Sequence, residues 1–218
     1  MIEVREAYNQ WANQYDTNDN KTRDLEAFAL RDILTNLTFD TCLEIGCGTG
    51  KNTVWLNSIS KEILAIDLSE EMLSKAKMKL STSNVQFVQA DINLPWNFVS
   101  KKYDLLVFSL VLEHIENMDA IFEKAAMTTK PGGLVYMGEL HPFKQYTGTK
   151  ARFETTEGLQ VVKCFTHHVS DFIVSAKKYG LQILNLNEYF DETNKQTIPR
   201  ILTILFRNDH TSRSQKVR

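Results

Sequence analysis

The run Leu43-Glu44-Ile45-Gly46-Cys47-Gly48-Thr49-Gly50 constrains this chain more than any other stretch. An apolar strand passes through an acidic residue into three alternating glycines, and a helical pattern follows. Glycines at this density let the backbone turn tightly and approach a ligand with no side chain in between. The helix that opens after them offers unpaired N–H groups beside the turn. Strand, glycine turn and helix in this order hold a nucleotide-type cofactor at the carboxyl end of a strand.

Alternation on either side of the turn supports that reading. The spacing predicts an amphipathic N-terminal helix carrying Val4, Ala7, Tyr8, Trp11, Ala12 and Tyr15, then a second helix through Leu25, Phe28, Ala29, Ile33 and Leu34. Strands are expected at Thr41–Ile45, Glu62–Ile66, Asn84–Ala90, Tyr103–Leu110 and Leu134–Glu139. Helices fall between them at about 51–59, after the Ser69 cap, and at Met118–Met127, with Lys130-Pro131-Gly132-Gly133 as a stop. The strand from Tyr103 is apolar on both faces, which places it centrally in a parallel α/β sheet. Residues 142–166 suggest short strands and no helix, Val169–Tyr179 suggests a helix ended by Gly180, and Leu181–Phe190 and Ile198–Phe206 are the last strands. The expected division is one domain over 1–218: a helical lid (1–36), a cofactor-binding core (37–141), an insertion (142–168), a C-terminal helix and strands (169–207) and a polar tail (208–218).

Composition removes several classes of function. With 218 residues, 43% hydrophobic and 24% charged, the chain reads as a soluble globular protein. A net charge of −2 with scattered Lys and Arg gives no footprint for nucleic acid. Three cysteines without a C-x-x-C pair argue against a disulfide framework or a zinc site, so no metal is expected and a reducing, cytoplasmic setting fits. No apolar run is long enough for a membrane span, and the N-terminus lacks the blocks of a signal peptide.

Which cofactor the turn holds is a separate question. A dinucleotide site would want G-x-G-x-x-G near the chain start, whereas here the spacing is G-x-G-x-G after about forty residues. Asp67 ends the second strand, where a carboxylate can accept bonds from ribose hydroxyls in either case. Asp91 ends the third and discriminates, since an acid there can accept from an exocyclic adenine amine.

Glu44-x-Gly46-x-Gly48-x-Gly50, Asp67-Leu68-Ser69, Ala90-Asp91-Ile92, Tyr103-Asp104 through Leu112-Glu113-His114, and Lys130-Pro131-Gly132-Gly133 together resemble the class I S-adenosylmethionine-dependent methyltransferases. Ala7-Tyr8-x-x-Trp11-Ala12-x-x-Tyr15-Asp16 is similar to the lid helix of the small-molecule branch related to the quinone-biosynthesis methyltransferases. The resemblance covers roughly residues 1–140. It implies a Rossmann-like, seven-stranded, mostly parallel sheet with helices on both faces and the last strand antiparallel. It also implies S-adenosyl-L-methionine as cofactor. Gly46, Cys47, Gly48 and Gly50 would form its cradle and Glu44 would orient the methionine end. Asp67 would take the ribose, Leu68 and Met72 the adenine faces, Asp91 and Ile92 the adenine edge, and Ser109 the amino-acid moiety. Tyr15 would close the lid, and Arg23 would pair with the methionine carboxylate.

Such a cofactor brings an activated methyl, so the protein must chiefly align an acceptor atom with it. An O–H or N–H acceptor adds the need for a base, and histidine suits that role near neutral pH. His141, past the fifth strand, His114, after the fourth, and His167 with His168, at the start of the late helix, are the candidates, followed by Glu113 and Glu139. The insertion carries Phe143, Tyr146, Phe153 and Phe165, enough aromatic surface to wall a flat small molecule; a subdomain core or homodimer contact would show the same residues. The reading is methyl transfer to O or N of a small-molecule acceptor. A macromolecular acceptor (tRNA or protein) and a non-catalytic cofactor-binding protein stay open beside it.

Overall fold

The computed structural model describes residues 2–156, 158–193 and 195–209. Seven strands form one sheet in the order β3-β2-β1-β4-β5-β9-β8, and a separate hairpin, β6-β7, stands outside it. The first five are β1 (Phe39–Ile45), β2 (Ser60–Asp67), β3 (Val85–Gln89), β4 (Tyr103–Ser109) and β5 (Thr129–Leu140), all mutually parallel. The chain's last strand, β9 (Ile201–Asn208), runs antiparallel between β5 and β8 (Leu181–Tyr189). This is the Rossmann-like sheet expected, with its last strand reversed.

Successive residues of the central strands serve opposite faces, as the two-residue strand period requires. Leu43, Ile45, Leu106, Phe108, Val135 and Met137 pack with α5 (Met118–Thr128) and α7 (Val169–Lys178). Cys42, Leu105, Val107 and Tyr136 face α2 (Lys21–Leu34) and α3 (Lys51–Leu56). Phe108 and Leu105 are fully buried, and such burial stabilises by about 1.5–3 kcal/mol per side chain. Caps set the helix starts: Asn20 accepts from Arg23 N–H for α2, Ser69 from Met72 N–H for α4 (Glu70–Lys79), and Asn117 from Ala120 N–H for α5.

Several boundaries differ from the sequence expectation. The first helix, α1 (Val4–Trp11), ends a turn early, so Tyr15 lies in a hydrogen-bonded turn and not on the helix. Lys130–Gly133 does not stop the chain before a strand; it is a bulge inside β5. Tyr103 pairs with Thr129 and Leu105 with Leu134, so the four residues loop out while Lys130 binds Asp104 at 2.9 Å. A Cβ on Gly133 would lie 3.0 Å from the Asp104 carbonyl, which explains a glycine there. The insertion does contain a helix, α6 (Pro142–Tyr146), followed by β6 (Arg152–Thr155) and β7 (Gly158–Val161). Asn208, expected to open the tail, is buried in β9 and donates to the carbonyls of Ala126 and Thr129; residues 210–218 lie outside the described residues. Among the described residues, no helix is long and apolar enough to cross a membrane.

Candidate active site

The carboxyl ends of β1, β2, β3 and β4 converge on a cleft that is partly open to solvent. Gly46, Gly48, Asp67, Leu68, Asp91, Ile92 and Ser109 line it, with Tyr8 and Tyr15 from the N-terminal segment closing one side. Gly46 has φ +72°, and a Cβ there would meet Val111 Cγ2 at 2.8 Å. A side chain is therefore excluded twice, by conformation and by space. Gly48 has φ +52° and nothing within 4 Å of where its Cβ would be, so it faces open cleft.

The Asp67 carboxylate spans the turn, accepting Gly48 N–H and Ser69 N–H, each at 2.8 Å. Asp91 accepts the Asn93 backbone and side-chain N–H groups at 2.9 and 3.0 Å, which fixes its carboxylate at the tip of β3. Both acids are held by N–H donors while lining the cleft. This is how a rigid acceptor is presented to hydroxyls and amines.

A deeper chamber opens beyond the glycines, lined by Tyr15, Arg23, Glu26, Glu44, Cys47, Asn52, Ser109 and Leu110 among others. Glu44 accepts the Thr53 hydroxyl at 2.6 Å, and burial raises its pKa to about 8. Glu26, on α2, accepts Asn52 Nδ2 and the Tyr136 hydroxyl at 3.1 Å each, and the Ser109 hydroxyl as well. Burial raises Glu26 to about 7 despite these donors. Asp67 is raised by the same cause. Two buried carboxylates, Glu26 and Glu44, beside one chamber favour a cationic occupant, which would let them ionise. The buried Asn52 Oδ1 has no partner among the described residues and adds an acceptor to this chamber. Cys47 is buried, with its thiol pushed well up by burial, so it fills space and is no nucleophile.

Other expected residues stand elsewhere. Met72 is fully buried with Ala7, Trp11 and Phe153 under the lid and does not line the cleft. Gly50 caps α3 with φ +78°, and its absent Cβ makes room for Ala76 of α4 at 3.1 Å rather than for a ligand. Arg23 lines the deep chamber, yet its guanidinium is tied to the carbonyls of Tyr15 and Asn18 and to Asp24. Three of its five N–H donors are thus engaged, two of them pinning the turn between α1 and α2.

The histidines part company. His114 lines the cofactor cleft; its Nδ1–H donates to the Lys163 carbonyl (2.9 Å), so Nε2 accepts the Tyr8 hydroxyl (2.8 Å). Both ring nitrogens are thereby committed, which makes His114 a tie between core and lid. His141 lines neither the cleft nor its deep chamber: Nδ1 accepts Phe143 N–H at 3.1 Å to cap α6, and Nε2 meets Glu188 at 2.9 Å. Burial lowers its pKa against the pull of Glu188. His167 also stands away from both, donating to the Ile115 carbonyl at 2.7 Å. The expected placement of His141 and His167 at the acceptor is thus corrected, because each ring is committed to a loop-closing bond.

A second cavity lies across Tyr8, Tyr15 and Leu110 from the first, between the lid and the insertion. Trp11, Glu113, Leu140, Thr149, Lys150, Arg152 and Arg200 contribute to its wall. Leu110 lines all three spaces and has φ +54°, a strained conformation for a branched side chain. Sequence reasoning missed Glu26, Asn52 and Leu110. Glu26 carried one signal, its i+3 spacing from Arg23 on one helix face.

Residues 43–137 match the model of a methyltransferase domain. An uncharacterized methyltransferase of Emericella nidulans is 29% identical over 85% of this chain and 78% of its own. A ubiquinone biosynthesis O-methyltransferase of Hydrogenovibrio crunogenus is 30% identical over 61% of this chain, which spans only 56% of that relative. Among solved structures, a DhpI–SAH complex superposes with a TM-score of 0.72 at 21% identity, over 93% of each chain. With the sheet order, the glycine turn and the paired aspartates, these likenesses give the chain a fold and a methyltransferase-domain stretch similar to those of the class I S-adenosylmethionine-dependent methyltransferases.

Proposed function

We propose that the chain methylates O or N of a small-molecule acceptor, and that the cofactor lies along the strand tips. The observation that carries this reading is the pair of cavities separated only by Tyr8, Tyr15 and Leu110. The donor and acceptor sides of a direct transfer need such an arrangement, two adjoining spaces that share a wall.

The residues present fit the cofactor. Gly46 and Gly48 leave backbone exposed to it, Asp67 faces the ribose, Asp91 with the Ile92 N–H meets the adenine edge, and Leu68 packs on the ring. Glu44, Glu26, Ser109 and the unpartnered Asn52 Oδ1 surround the methionine end, where Arg23 also stands. When bound, the cofactor supplies a methyl on a sulfonium, an electrophile that needs no further activation. The chain's own work is alignment and exclusion of water, and orientation of reacting groups at about 3–3.5 Å supplies several kcal/mol. Tyr15 and Tyr8 roof the junction, with Tyr8 held by His114. His114 on this reading positions the lid, since its Nε2 lone pair is already engaged.

A calorimetric titration with S-adenosylmethionine and with NAD, followed by a methyl-transfer assay on phenols, amines and carboxylates, tests the reading. Binding of the first cofactor and turnover on a small acceptor are the expected results. Preference for NAD, or methylation of tRNA or protein alone, would overturn it.

A further inference from the structure

The cavity between lid and insertion has a charge pattern that the cofactor does not explain. Lys21, Lys150 and Arg152 contribute to its wall, are exposed, and form no ion pair among the described residues. Arg200 also lines it, though paired with Asp191 and bonded to Thr22. Asp19 and Glu113 are the acids of the same wall. The chain as a whole carries a net −2, so an excess of unpaired cations at one cavity is local.

Its inner wall carries two polar side chains more than nine-tenths buried, each with an atom that has no partner. Trp11 is 6% exposed with its indole N–H unbonded, and Glu113 is 8% exposed with Oε2 unbonded. A buried polar atom left unpaired is costly, so two in residues beside one cavity point to a ligand that completes them. Trp11 is stacked on Phe153 at 5.2 Å, which fixes its indole; around Glu113, His114 Nε2 is 3.9 Å from the other oxygen, Oε1, and already meets Tyr8, while the Cys164 thiol lies beside the same carboxyl.

Building on the proposed function, we infer that this cavity is the acceptor site and that it selects a small acceptor bearing an anionic group, a carboxylate or a phosphate. Lys150 and Arg152 meet the anion at the mouth, where a guanidinium suits a two-oxygen group. Glu113 Oε2 accepts a hydrogen bond from the O–H or N–H to be methylated, and the Trp11 N–H donates to a second acceptor polar atom. Leu110 and Tyr15, shared with the cofactor cleft, then border the path of the methyl. The aromatic wall of Tyr8, Trp11 and Tyr15 suits a flat body between the two polar ends.

The test is a set of calorimetric titrations on the full chain, with and without saturating S-adenosylhomocysteine. The probes are benzoate, phenyl phosphate and benzamide, which share a ring and differ in charge. The expected result is at least tenfold tighter binding of one anion than of benzamide, and the preferred anion tells carboxylate from phosphate. In the double variant Lys150→Glu/Arg152→Glu that preference disappears while S-adenosylhomocysteine affinity stays within twofold; both side chains are exposed, and circular dichroism checks the fold. Equal binding of all three probes, or a preference that survives the double variant, overturns the proposal. Failure to bind S-adenosylhomocysteine would instead remove the cofactor reading, because the anion arms run without it as well.

Discussion

The strand tips and the layer above them meet across one cleft but are built by opposite means. Below, Gly46, Gly48, Asp67 and Asp91 come from successive strands of one sheet, and backbone bonds within two residues of each turn fix them. Above, Tyr8, Trp11, Lys150 and Arg152 come from segments some 140 residues apart, joined by one backbone bridge at Ile2 and Val162 and by side-chain contacts such as Trp11 on Phe153 and Gln14 on the Glu154 carbonyl at 2.7 Å. Charge divides the same way: buried carboxylates holding protons below, exposed cations above. The lower half is suited to one invariant cofactor, whereas the upper can change its acceptor without disturbing the sheet.

The sharpest way to break this contrast is to fill the glycine turn. Gly46→Ala forces a Cβ to 2.8 Å from Val111 at a positive φ. Overpacking and left-handed strain together should cost about 2–4 kcal/mol of stability, read as a drop in denaturation midpoint. S-adenosylhomocysteine affinity should fall at least about tenfold by titration in the same variant. An unchanged midpoint and affinity would mean that the turn is softer than its packing indicates.

His141→Ala probes the boundary between the two halves. Its ring is 1% exposed and closes bonds to Phe143 and Glu188. Loss of a cap and a buried polar contact should lower stability by about 1–3 kcal/mol. Turnover per folded molecule should stay within about twofold. A collapse of turnover in a fully folded variant would return His141 to the chemistry.

These two residues also show what the sequence could reveal. The glycines, Asp67 and Asp91 were legible because each sits at a strand end whose period and turn chemistry are local. His141 and His167 were misplaced because a histidine at a strand end reads alike whether its ring faces a cleft or caps the next loop. The deciding partners, Glu188 and the Ile115 carbonyl, are about fifty residues away in sequence. Met72 was misread for a related reason. The resemblance alone assigned it to the adenine, and only the docking of α1 on α4 decides that its side chain meets the lid. Glu26 was invisible because a buried acid on an ordinary amphipathic helix has no motif; its role follows from Asn52, Ser109 and Tyr136, on three other elements.

The buried carboxylates sharpen the comparison through pH. Glu26 near 7 and Glu44 near 8, with Asp67 also raised, bind protons more tightly folded than unfolded, where carboxyl groups titrate near 4. The stability they contribute is therefore complete below that range and lost as pH climbs through 7 to 8. The ligand-free protein should melt at lower temperature at pH 8.5 than at pH 6. A cationic ligand favours their ionised forms, so S-adenosylmethionine affinity should rise about three- to tenfold over the same interval, and Glu26→Gln should flatten both trends.

The mildest change tests the join itself. Tyr8→Phe removes only the hydroxyl that His114 accepts at 2.8 Å and leaves the stack on Trp11, at 5.7 Å, in place. One such bond is worth about 0.5–1.5 kcal/mol, a modest loss because Asn9 to Ser69 at 2.6 Å and Asp16 to Thr49 at 2.7 Å still tie the lid segment down. The difference should appear in kinetics, as a roughly three- to tenfold faster release of S-adenosylhomocysteine in stopped-flow, with little change in melting temperature. Faster release would identify the Tyr8–His114 bond as a lid tie that must break for the product to leave. An unaltered release rate would mean that the upper layer opens elsewhere, at the Trp11–Phe153 stack or the Gln14–Glu154 bond, and that Tyr8 serves the acceptor side alone.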